Sequence, residues 1–541
     1  MEMINLSLPA TNRFATDYLA GVPEIQRFFH YRYQHSADYQ ARLIELNKRT
    51  FMRKELAECI EKYMERIPSS TEVKMSLEKL KKENSAVIIG GQQAGILTGP
   101  LYSIHKVVSI IALARQKEKE LNIPIVPIFW IAGEDHDFQE VNHIYLEKNG
   151  EIQKVIYPEK VRDKRMVSDV GLDKEICMEW VEEIIETFGE TDHTNELLSF
   201  MREAVQESET FVDFFAQIVM GLFKDEGLLV IDSGYQGLRY LEKELFISQI
   251  EQVTQINRCV KDVQNQLADE GFNRSIEMSD QAANLFYYDD EYKERILLEY
   301  NEVKQQFIGK NGALRFSRTE LLDIASEFPW KLSNNVVTRP ITQEMLFPTL
   351  AFIAGPGEIA YWAELKQVFE HFSIKMPLIV PRLNITLLDR AIESDFEELG
   401  LSLEDVLTNG TGKQQDVYLE SVKDLELEKL FRYTKKQLLE NYGMIQQKLD
   451  KGLIPLFEKN QARLLEQIQF MEGKNEDQLK QKHEVALSKF NRVDSSLRPM
   501  GAPQERILNA LNYMNRYGIP FLSELAHLNY EFDGKHKVIK I

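Results

Sequence analysis

Cysteine is scarce in this sequence, and the cysteine residues lie far apart. Cys59, Cys177 and Cys259 are the three cysteines in 541 residues, and no two of them have CxxC spacing. This pattern argues against a disulfide framework and against a zinc site with cysteine ligands. We therefore predict reduced thiols in the core and no bound metal.

Long apolar runs and an excess of positive charge are also missing. No stretch of 18 apolar residues occurs, the mean hydropathy is -0.34, and the first residues do not combine a basic region with an apolar one. These absences predict a cytoplasmic protein without a membrane span or a signal peptide. The 65 basic and 85 acidic residues give a net charge of -20, which disfavours nucleic acid and anionic membranes as partners. Small anionic substrates would then need local basic residues.

Residues 85–106, with the sequence SAVIIGGQQAGILTGPLYSIHK, are typical of a strand, a glycine-rich turn and a helix. The apolar run 86–89 suits a buried strand, and apolar residues in 107–114 recur at helical spacing. A helix that begins near Pro100 would point its free N–H groups at the strand end, which favours a carboxylate or a phosphate there. A branched side chain at Gly99 should then block binding more than folding. A glycine-rich turn without a ligand is the equally open alternative, since neither GxGxxG nor GxxxxGK followed by Ser or Thr occurs.

A second apolar run, residues 123–131, leads into the cluster Glu134, Asp135, His136 and Asp137. Ligands bind beyond the carboxyl ends of such parallel strands, so both turns are expected at one ligand site. A histidine beside three carboxylates can act as a general base, hold a divalent metal or bind an ammonium group. A solvated acidic turn is the alternative, and His143 adds too little for a zinc motif.

The sequence as a whole predicts an α/β protein with a parallel-sheet core, two inserted subdomains and a C-terminal α-helical antiparallel coiled-coil arm. Core strands are expected at 227–232, 352–354 and 377–380, and Asp232 is expected either at the sheet edge or, as the favoured role, at a helix N-cap. Alternating residues at 283–288 and 295–300 indicate antiparallel strands, and spaced leucines after residue 448 indicate the arm, with its hairpin turn at 472–475. The expected boundaries are 1–144, 226–260 and 336–390 for the core, 145–225 and 261–335 for the insertions, 391–500 for the arm, and 501–541 for a segment that returns to the core.

Four segments, GGQQAGILTGPLYSIHK, WIAGEDHDFQEV, TRPITQEMLFPT and FIAGPGEIAYW, occur in this order before the coiled-coil region. Together they resemble the bacillithiol synthase (BshC) family of cysteine ligases over essentially the whole chain. The resemblance implies a Rossmann-like core, two connecting insertions and a helical arm that forms a homodimer. It also implies that L-cysteine is joined through an amide to the glucosamine nitrogen of glucosaminyl-malate, in the last step of bacillithiol biosynthesis. The HxGH motif of the related class I aminoacyl-tRNA synthetases is missing, and residues 98–101 are its nearest equivalent.

Amide formation from a free carboxylate needs that carboxylate activated, most simply by ATP, and needs a base for the proton of the amine. We assign the base to His136, and we assign to Asp135 and Asp137 either the orientation of His136 or recognition of the cysteine ammonium group. The glycine-rich turn is expected to bind malate or phosphate, with Arg339 as a second anion contact. The full set of expected substrate-binding residues is Gln92, Gln93, Gly95, Thr98, Gly99, Tyr102, Glu134, Arg339, Gln343 and Glu358.

A nucleotide, ATP or ADP, is expected where two groups of basic and amide side chains would meet, one after a core strand and one late in the arm. The alternative is that Arg382 and Arg492 only pair with acids such as Asp389 and Asp494. Two other functions also stay open: a nucleotidylyltransferase-like ligase that acts on another small molecule, and a coiled-coil scaffold with a vestigial site. The expected nucleotide-binding residues are Arg382, Asn384 and Thr386 after a core strand, and Lys489, Asn491 and Arg492 late in the arm.

Overall fold

The computed structural model describes residues 1–148, 151–159, 164–289, 291, 293–310 and 312–541. These residues divide into two compact units. We call them the core unit (Met3–Thr386 and Gln504–Ile539) and the helical unit (Met1–Glu2, Leu387–Pro503 and Lys540–Ile541). No helix within the described ranges is both long and apolar enough to cross a membrane. The finer boundaries expected from the sequence stay predictions.

Strands are numbered along the chain. They are β1 (Glu2–Leu6), β2 (Ala86–Gln92), β3 (Ile125–Ile131), β4 (His143–Lys148), β5 (Glu151–Ile156), β6 (Leu229–Asp232), β7 (Ala282–Asp289), β8 (Glu294–Asn301), β9 (Gln306–Gly309), β10 (Arg315–Ser317), β11 (Leu332–Asn334), β12 (Thr349–Ala354), β13 (Leu378–Pro381), β14 (Ile385–Leu388) and β15 (His536–Lys540).

Helices are numbered in the same way. They are α1 (Arg13–Leu19), α2 (Pro23–Gln26), α3 (Ser36–Leu46), α4 (Arg53–Tyr63), α5 (Thr71–Leu80), α6 (Tyr102–Leu121), α7 (Phe138–Val141), α8 (Lys174–Thr187), α9 (Thr194–Gln206), α10 (Phe211–Phe223), α11 (Gln236–Glu251), α12 (Val253–Asp269), α13 (Arg318–Glu327), α14 (Thr338–Leu346), α15 (Pro356–Ala363), α16 (Lys366–His371), α17 (Arg390–Glu398), α18 (Leu403–Asn409), α19 (Gly412–Val422), α20 (Leu425–Gln446), α21 (Ile454–Lys482), α22 (Glu484–Leu497), α23 (Gln504–Ile507), α24 (Ala510–Tyr517) and α25 (Pro520–Leu525).

A five-stranded parallel sheet lies at the centre of the core unit, in the order β13, β12, β2, β3, β6. Its strands are continuous apolar runs, and every residue of β3 is buried, as expected for parallel strands covered on both faces. Helix α6 packs on β2 and β3, with Val107, Ile110 and Leu113 fully buried. The expected α/β fold with a parallel-sheet core is confirmed.

The strand register brings the carboxyl ends of three strands side by side. Gln92 of β2 pairs with Ile131 of β3, and Ile131 pairs with Asp232 of β6. Asp232 does not cap a helix, so that favoured prediction is wrong, because α11 begins four residues later. Its carboxylate instead closes the local turn, accepting hydrogen bonds from Gly234 N at 2.9 Å and from Ser168 Oγ at 2.7 Å. Asp232 therefore stays at the sheet edge, the other role considered.

A second five-stranded sheet, in the order β10, β9, β8, β7, β11, is antiparallel. Its strands β7 and β8 confirm the alternation predicted for this part of the chain. Leu285 of β7 and Leu298 of β8 are fully buried in one cluster with Phe246 and Ile250 of α11. A smaller antiparallel pair, β4 and β5, follows the first half of the central sheet.

The helical unit contains an antiparallel helix pair, α20 and α21. Tyr442 stacks on Phe457 with ring centroids 4.7 Å apart, and Lys435 pairs with Glu472. The chain reverses at residues 447–453, so the prediction of a hairpin turn at 472–475 is wrong. Those four residues lie inside α21, because the surrounding helix formers outweigh the cost of Gly473, about 1 kcal/mol. Pro455 fits the first turn of a helix and accompanies the start of α21.

Candidate functional site

A cleft of about 660 Å³ lies in the core unit, at the carboxyl ends of β2, β3 and β12. The antiparallel sheet supplies one of its walls. Predicted residues that line the cleft are Gln92, Gln93, Tyr102, Glu134, Asp135, His136, Arg339, Glu358 and Arg382, and residues that the sequence did not single out include Lys106, Trp130, Phe286, Arg295, Asn334, Tyr361 and Arg506. The majority of the predicted catalytic and substrate-binding side chains thus lie together at the carboxyl ends of parallel strands, whereas Arg382 alone of the predicted nucleotide-binding residues lines the cleft.

The turn after β3, residues 132–137, supplies a carboxylate and an imidazole; we call it the β3 turn. Asp135 accepts a hydrogen bond from Gln93 Nε2 at 2.7 Å and another from the backbone N–H of His136 at 2.8 Å. Burial alone would raise the pKa of Asp135, but the Gln93 hydrogen bond and the charge of Arg295 lower it. Asp135 is therefore ionised at neutral pH.

The His136 ring is neutral under the same conditions. Its pKa is lowered by burial first and by the charge of Arg295 second, against the opposing charge of Asp135. Nδ1 lies 3.8 Å from Asp135 Oδ1 and has no hydrogen-bond partner among the described residues. A neutral imidazole that faces a cleft can accept a proton, as a general base must.

The two other acids of the cluster behave differently. Glu134 is buried and bound by Arg239, which also pairs with Glu242 at 2.6 Å. Asp137 is exposed and is not among the residues that line the cleft. Thus Asp135 and His136 are the members of the cluster that face the cleft with free bonding capacity.

Lys106 is a buried cation at the cleft that the sequence did not single out. Its Nζ donates to Gly91 O at 2.7 Å and to Glu358 Oε2 at 2.5 Å. Burial lowers the pKa of Lys106, and the adjacent Glu358 carboxylate opposes this. Glu358 also accepts from the backbone N–H of Gly355 at 2.7 Å. The Lys106–Glu358 pair therefore joins the end of β2 to the start of α15 and shapes the cleft between them.

The turn after β2, residues 94–101, which we call the β2 turn, is packed rather than open. Asn509 Nδ2 donates to Leu97 O at 2.9 Å and to Gly99 O at 2.7 Å. A Cβ atom on Gly95 would lie 2.8 Å from Gly99 Cα, so glycine is needed for the backbone to approach itself. The structure does not bring Gly95, Thr98 or Gly99 to the cleft lining, and the buried Gln343 is also outside it. Their role in substrate binding stays a prediction.

The expected nucleotide-binding residues of the core unit already have partners. Arg382 forms two hydrogen bonds of 2.6 Å with Glu505, which also contacts His105 Nδ1 at 3.1 Å. Arg382 and His105 together hold the pKa of Glu505 well below its usual range. Thr386 Oγ1 lies 2.8 Å from His536 Nε2, and the backbone carbonyl of Asn384 accepts from Lys537.

The residues expected to bind the nucleotide from the helical unit are also engaged. Arg492 forms two hydrogen bonds of 2.8 Å with Asp395, and Lys489 pairs with Glu398. Asn491 is exposed. Both predicted arginines thus bind carboxylates, those of Glu505 and Asp395, and the nucleotide site itself stays a prediction.

Two functional candidates that the sequence analysis missed differ in how they could have been found. Lys106 follows Tyr102 by four residues, so the two lie on one face of α6, and this spacing was visible in the sequence. Arg295 lies on β8, and its position at the cleft depends on how the antiparallel sheet packs against the central one. No local pattern carries that information.

Comparison with known proteins gives two family models and close relatives. Residues 1–383 match a model described as "Bacillithiol biosynthesis BshC, N-terminal Rossmann-like domain", and residues 385–541 match "Bacillithiol biosynthesis BshC, C-terminal coiled-coil domain". Proteins described as "Putative cysteine ligase BshC" are 44% identical in Geobacillus sp. (strain WCH70) and in Geobacillus thermodenitrificans, and 42% identical in Anoxybacillus flavithermus. Each alignment covers 100% of both chains. A solved structure described as a "putative arginyl t-RNA synthetase" from Campylobacter jejuni covers 89% of this chain and 100% of its own at 11% identity, and its TM-score of 0.22 is too low to support an argument.

Proposed function

This chain belongs to the BshC family of bacillithiol biosynthesis proteins, and from that premise we propose that it is a cysteine ligase. The proposed reaction joins the carboxyl group of L-cysteine to the glucosamine nitrogen of glucosaminyl-malate as an amide. One observation supports it above the others: a neutral imidazole, an ionised carboxylate and several cations line a single cleft.

The proposed step needs a proton acceptor for the amine. As the glucosamine nitrogen forms its bond to the cysteine carbonyl carbon, the bond from that carbon to the activating group breaks and the nitrogen loses a proton. His136 takes this proton, and the ionised Asp135 beside it stabilises the imidazolium that results. Gln93 fixes Asp135 for this role through the hydrogen bond of 2.7 Å.

Cations at the cleft fit the anionic parts of the reactants. Arg339 is held by Tyr361 OH at 2.5 Å, while Arg506 is exposed and has no charged partner among the described residues. Both side chains can bind carboxylates or phosphates in a bidentate manner, which suits the two carboxylates of malate. ATP, when bound, would supply the leaving group that a free cysteine carboxylate lacks, and the same cations fit its phosphates.

The experiment is a reaction of the purified protein with glucosaminyl-malate and L-cysteine, with and without ATP, followed by mass spectrometry. We expect the thiol-containing amide product, and we expect it to depend on ATP. Absence of the product under both conditions contradicts the proposal. Turnover of a different amine or acid would favour the ligase that acts on another small molecule. No turnover of any of these substrates, by wild type and by Asp135→Asn and His136→Asn alike, would leave the scaffold interpretation.

A homodimer formed through the helical unit is part of the proposal. The helices α20 and α21 contain no buried residue, and large apolar side chains such as Leu456, Phe470 and Met471 are more than half exposed. A second copy of the pair would cover such a face. We expect light scattering to give twice the chain mass for the wild type and the chain mass for the triple variant Leu456→Lys, Phe470→Lys, Met471→Lys. An unchanged dimer in that variant, or a monomeric wild type, contradicts this part.

A further inference from the structure

Arg295 lies in the cleft as a buried and firmly held cation. Its side chain is 6% exposed, and its guanidinium carbon lies 3.8 Å from the centre of the Phe286 ring. Nε donates to Ser333 Oγ at 2.9 Å and Nη2 donates to Asn334 O at 2.7 Å. Nη1 makes no hydrogen bond within the described ranges. The guanidinium is therefore fixed by its surroundings and keeps donors for a ligand.

The charge of Arg295 is not matched by a partner of its own. The nearest carboxylate is Glu134, whose Oε2 lies 4.0 Å from Nη2. That same oxygen is already bound by Arg239, and the other protein contacts of Arg295 are neutral. A buried cation without its own counter-ion favours an anionic ligand.

Asp135 lines the same cleft as the opposite charge. Its Oδ2 accepts a hydrogen bond from Gln93, and its Oδ1 accepts from the backbone N–H groups of His136 and Asp137. An ionised carboxylate can accept about four, so Asp135 keeps capacity for a ligand. Asp135 and Arg295 form no ion pair with each other, yet the charge of each favours the ionised form of the other. A ligand that carried only one charge would be repelled by one of the two groups, whereas a zwitterion satisfies both.

We propose that Asp135 and Arg295 are the two ends of a subsite for an α-amino acid, in which Arg295 binds the carboxylate and Asp135 binds the ammonium group. Phe286, which stacks on Arg295, has its ring centre 6.0 Å from that of His136, so the bound carboxyl group lies beside the proposed base. Phe286 and Leu297 supply an apolar wall for a short side chain. The identity of the amino acid as cysteine rests on the proposed function, but the recognition of a zwitterion does not.

The test is calorimetric titration of the full-length protein with four ligands under reducing conditions. L-Cysteine and L-serine carry both charges, cysteamine lacks the carboxylate, and 3-mercaptopropionate lacks the ammonium group. We expect wild type to bind L-cysteine at least tenfold more tightly than either truncated ligand. Arg295→Gln should weaken binding of both amino acids about ten- to a hundredfold, the effect of losing a charged hydrogen bond, and should leave the weak binding of cysteamine within twofold. Asp135→Asn should show the reverse selectivity, sparing 3-mercaptopropionate.

Controls separate binding from folding and from the proposed reaction. Arg315→Gln, at an exposed position of strand β10 in the same antiparallel sheet, should bind all four ligands as wild type does. If Arg295→Gln does not fold, Arg295→Lys keeps the charge but loses the planar fork, and it should weaken amino-acid binding while retaining some preference over cysteamine. Equal affinity of wild type and of a folded Arg295 variant, Arg295→Gln or Arg295→Lys, for L-cysteine overturns the subsite, as does a wild type that binds no amino acid. Preferred binding of L-serine over L-cysteine would support the subsite while contradicting the proposed ligase. If the product assay fails but L-cysteine still binds more tightly than cysteamine and 3-mercaptopropionate, the subsite is likewise supported and the ligase contradicted.

Discussion

The β2 turn and the β3 turn end neighbouring strands of one sheet, yet their side chains lie in opposite environments. In the β2 turn Leu97 and Thr98 are fully buried, and both have positive φ angles, of 52° and 69°. Asn509 donates to the carbonyls of Leu97 and Gly99, on either side of Thr98. In the β3 turn Asp135 and His136 keep about a third of their side-chain surface exposed, at 34% and 30%. The glycine-rich turn with its positive φ angles is therefore closely packed, whereas the turn with the charged cluster faces the cleft.

This difference shows why the two turns gave sequence signals of unequal value. A glycine in such a turn indicates only that a Cβ atom would not fit. The group that leaves no room for it can belong to a ligand or to the chain itself. For Gly95 the neighbour is Gly99. Ionisable side chains that are buried or half-buried at a strand end are costly unless they are paired or used, so their presence there is a more direct sign of a site.

The largest effect should follow from removing the base in the β3 turn. His136→Asn keeps size and polarity but cannot accept the proton, and we expect product formation to fall at least about a hundredfold, the lower range for loss of a general base. The matched control is His143→Asn, seven residues along the chain and outside the cleft, with Nδ1 3.1 Å from Gln139 O. Equal rates for the two variants, both folded by circular dichroism, would remove His136 from the mechanism.

The second-largest effect should follow from Gly99→Val in the β2 turn. Gly99 has a φ of 66° and lies away from the cleft. We therefore expect a loss of stability, about 2 kcal/mol or more, because a branched residue is strained in this conformation. This reverses the expectation from the sequence, which placed the effect on substrate binding. Denaturant unfolding measures the change, and the thermal shift caused by glucosaminyl-malate should persist. A variant that is as stable as wild type but has lost this thermal shift would support the original prediction that the β2 turn binds an anion.

A smaller effect compares two glycines directly. Gly95→Ala would place a Cβ atom 2.8 Å from the backbone of Gly99, whereas a Cβ on Gly357 meets nothing within 4 Å. We expect Gly95→Ala to cost about 1 to 3 kcal/mol by overpacking. Gly357→Ala, in the first turn of α15, should be neutral or stabilising by up to about 1 kcal/mol. Similar unfolding free energies for both variants would contradict the packed description of the β2 turn.

The smallest effect concerns the pH dependence of the β3 turn. The pKa of His136 is lowered by burial and then by Arg295, with Lys164 acting in the same sense and with Asp135 and Asp137 opposing. Because the neutral ring is the active form, kcat/KM should stay level as pH falls through about 6.5, the ordinary histidine value, and should decline only below it. Arg295→Gln removes one lowering charge, so the declining limb should move to higher pH. A limb that shifts to lower pH, or that is unchanged, would show that Arg295 does not act on His136.

Much of the fold was predictable because buried parallel strands are apolar along their whole length. The apolar runs of β2, β3, β12 and β13 could be recognised in this way. Because ligands bind at the carboxyl ends of parallel strands, Glu134, Asp135 and His136 could then be placed at a ligand-binding edge. The predicted hairpin at 472–475 is wrong because a single glycine, Gly473, does not end a helix whose neighbouring residues are helix formers. Pro455 indicates where that helix begins.

The rest of the site could not be predicted, because it depends on contacts between distant segments. Arg295 reaches the cleft through the packing of the antiparallel sheet, and Asn509 fills the β2 turn from a segment more than 400 residues away. Glu134 lines the cleft, but its ion pair with Arg239 likewise depends on a residue 105 positions along the chain. Each outcome is fixed by tertiary packing, for which the local sequence gives no pattern.

The central claim is that the β3 turn faces the reacting groups, and the most direct measurement is NMR of protein with ¹³C-labelled histidine rings. The His136 signal, assigned with His136→Asn, should titrate with a midpoint below about 6.5 and should shift when glucosaminyl-malate and L-cysteine are added, while the His143 signal stays unchanged by these ligands. A His136 signal that does not respond to either substrate, in protein that forms the product, would contradict the account.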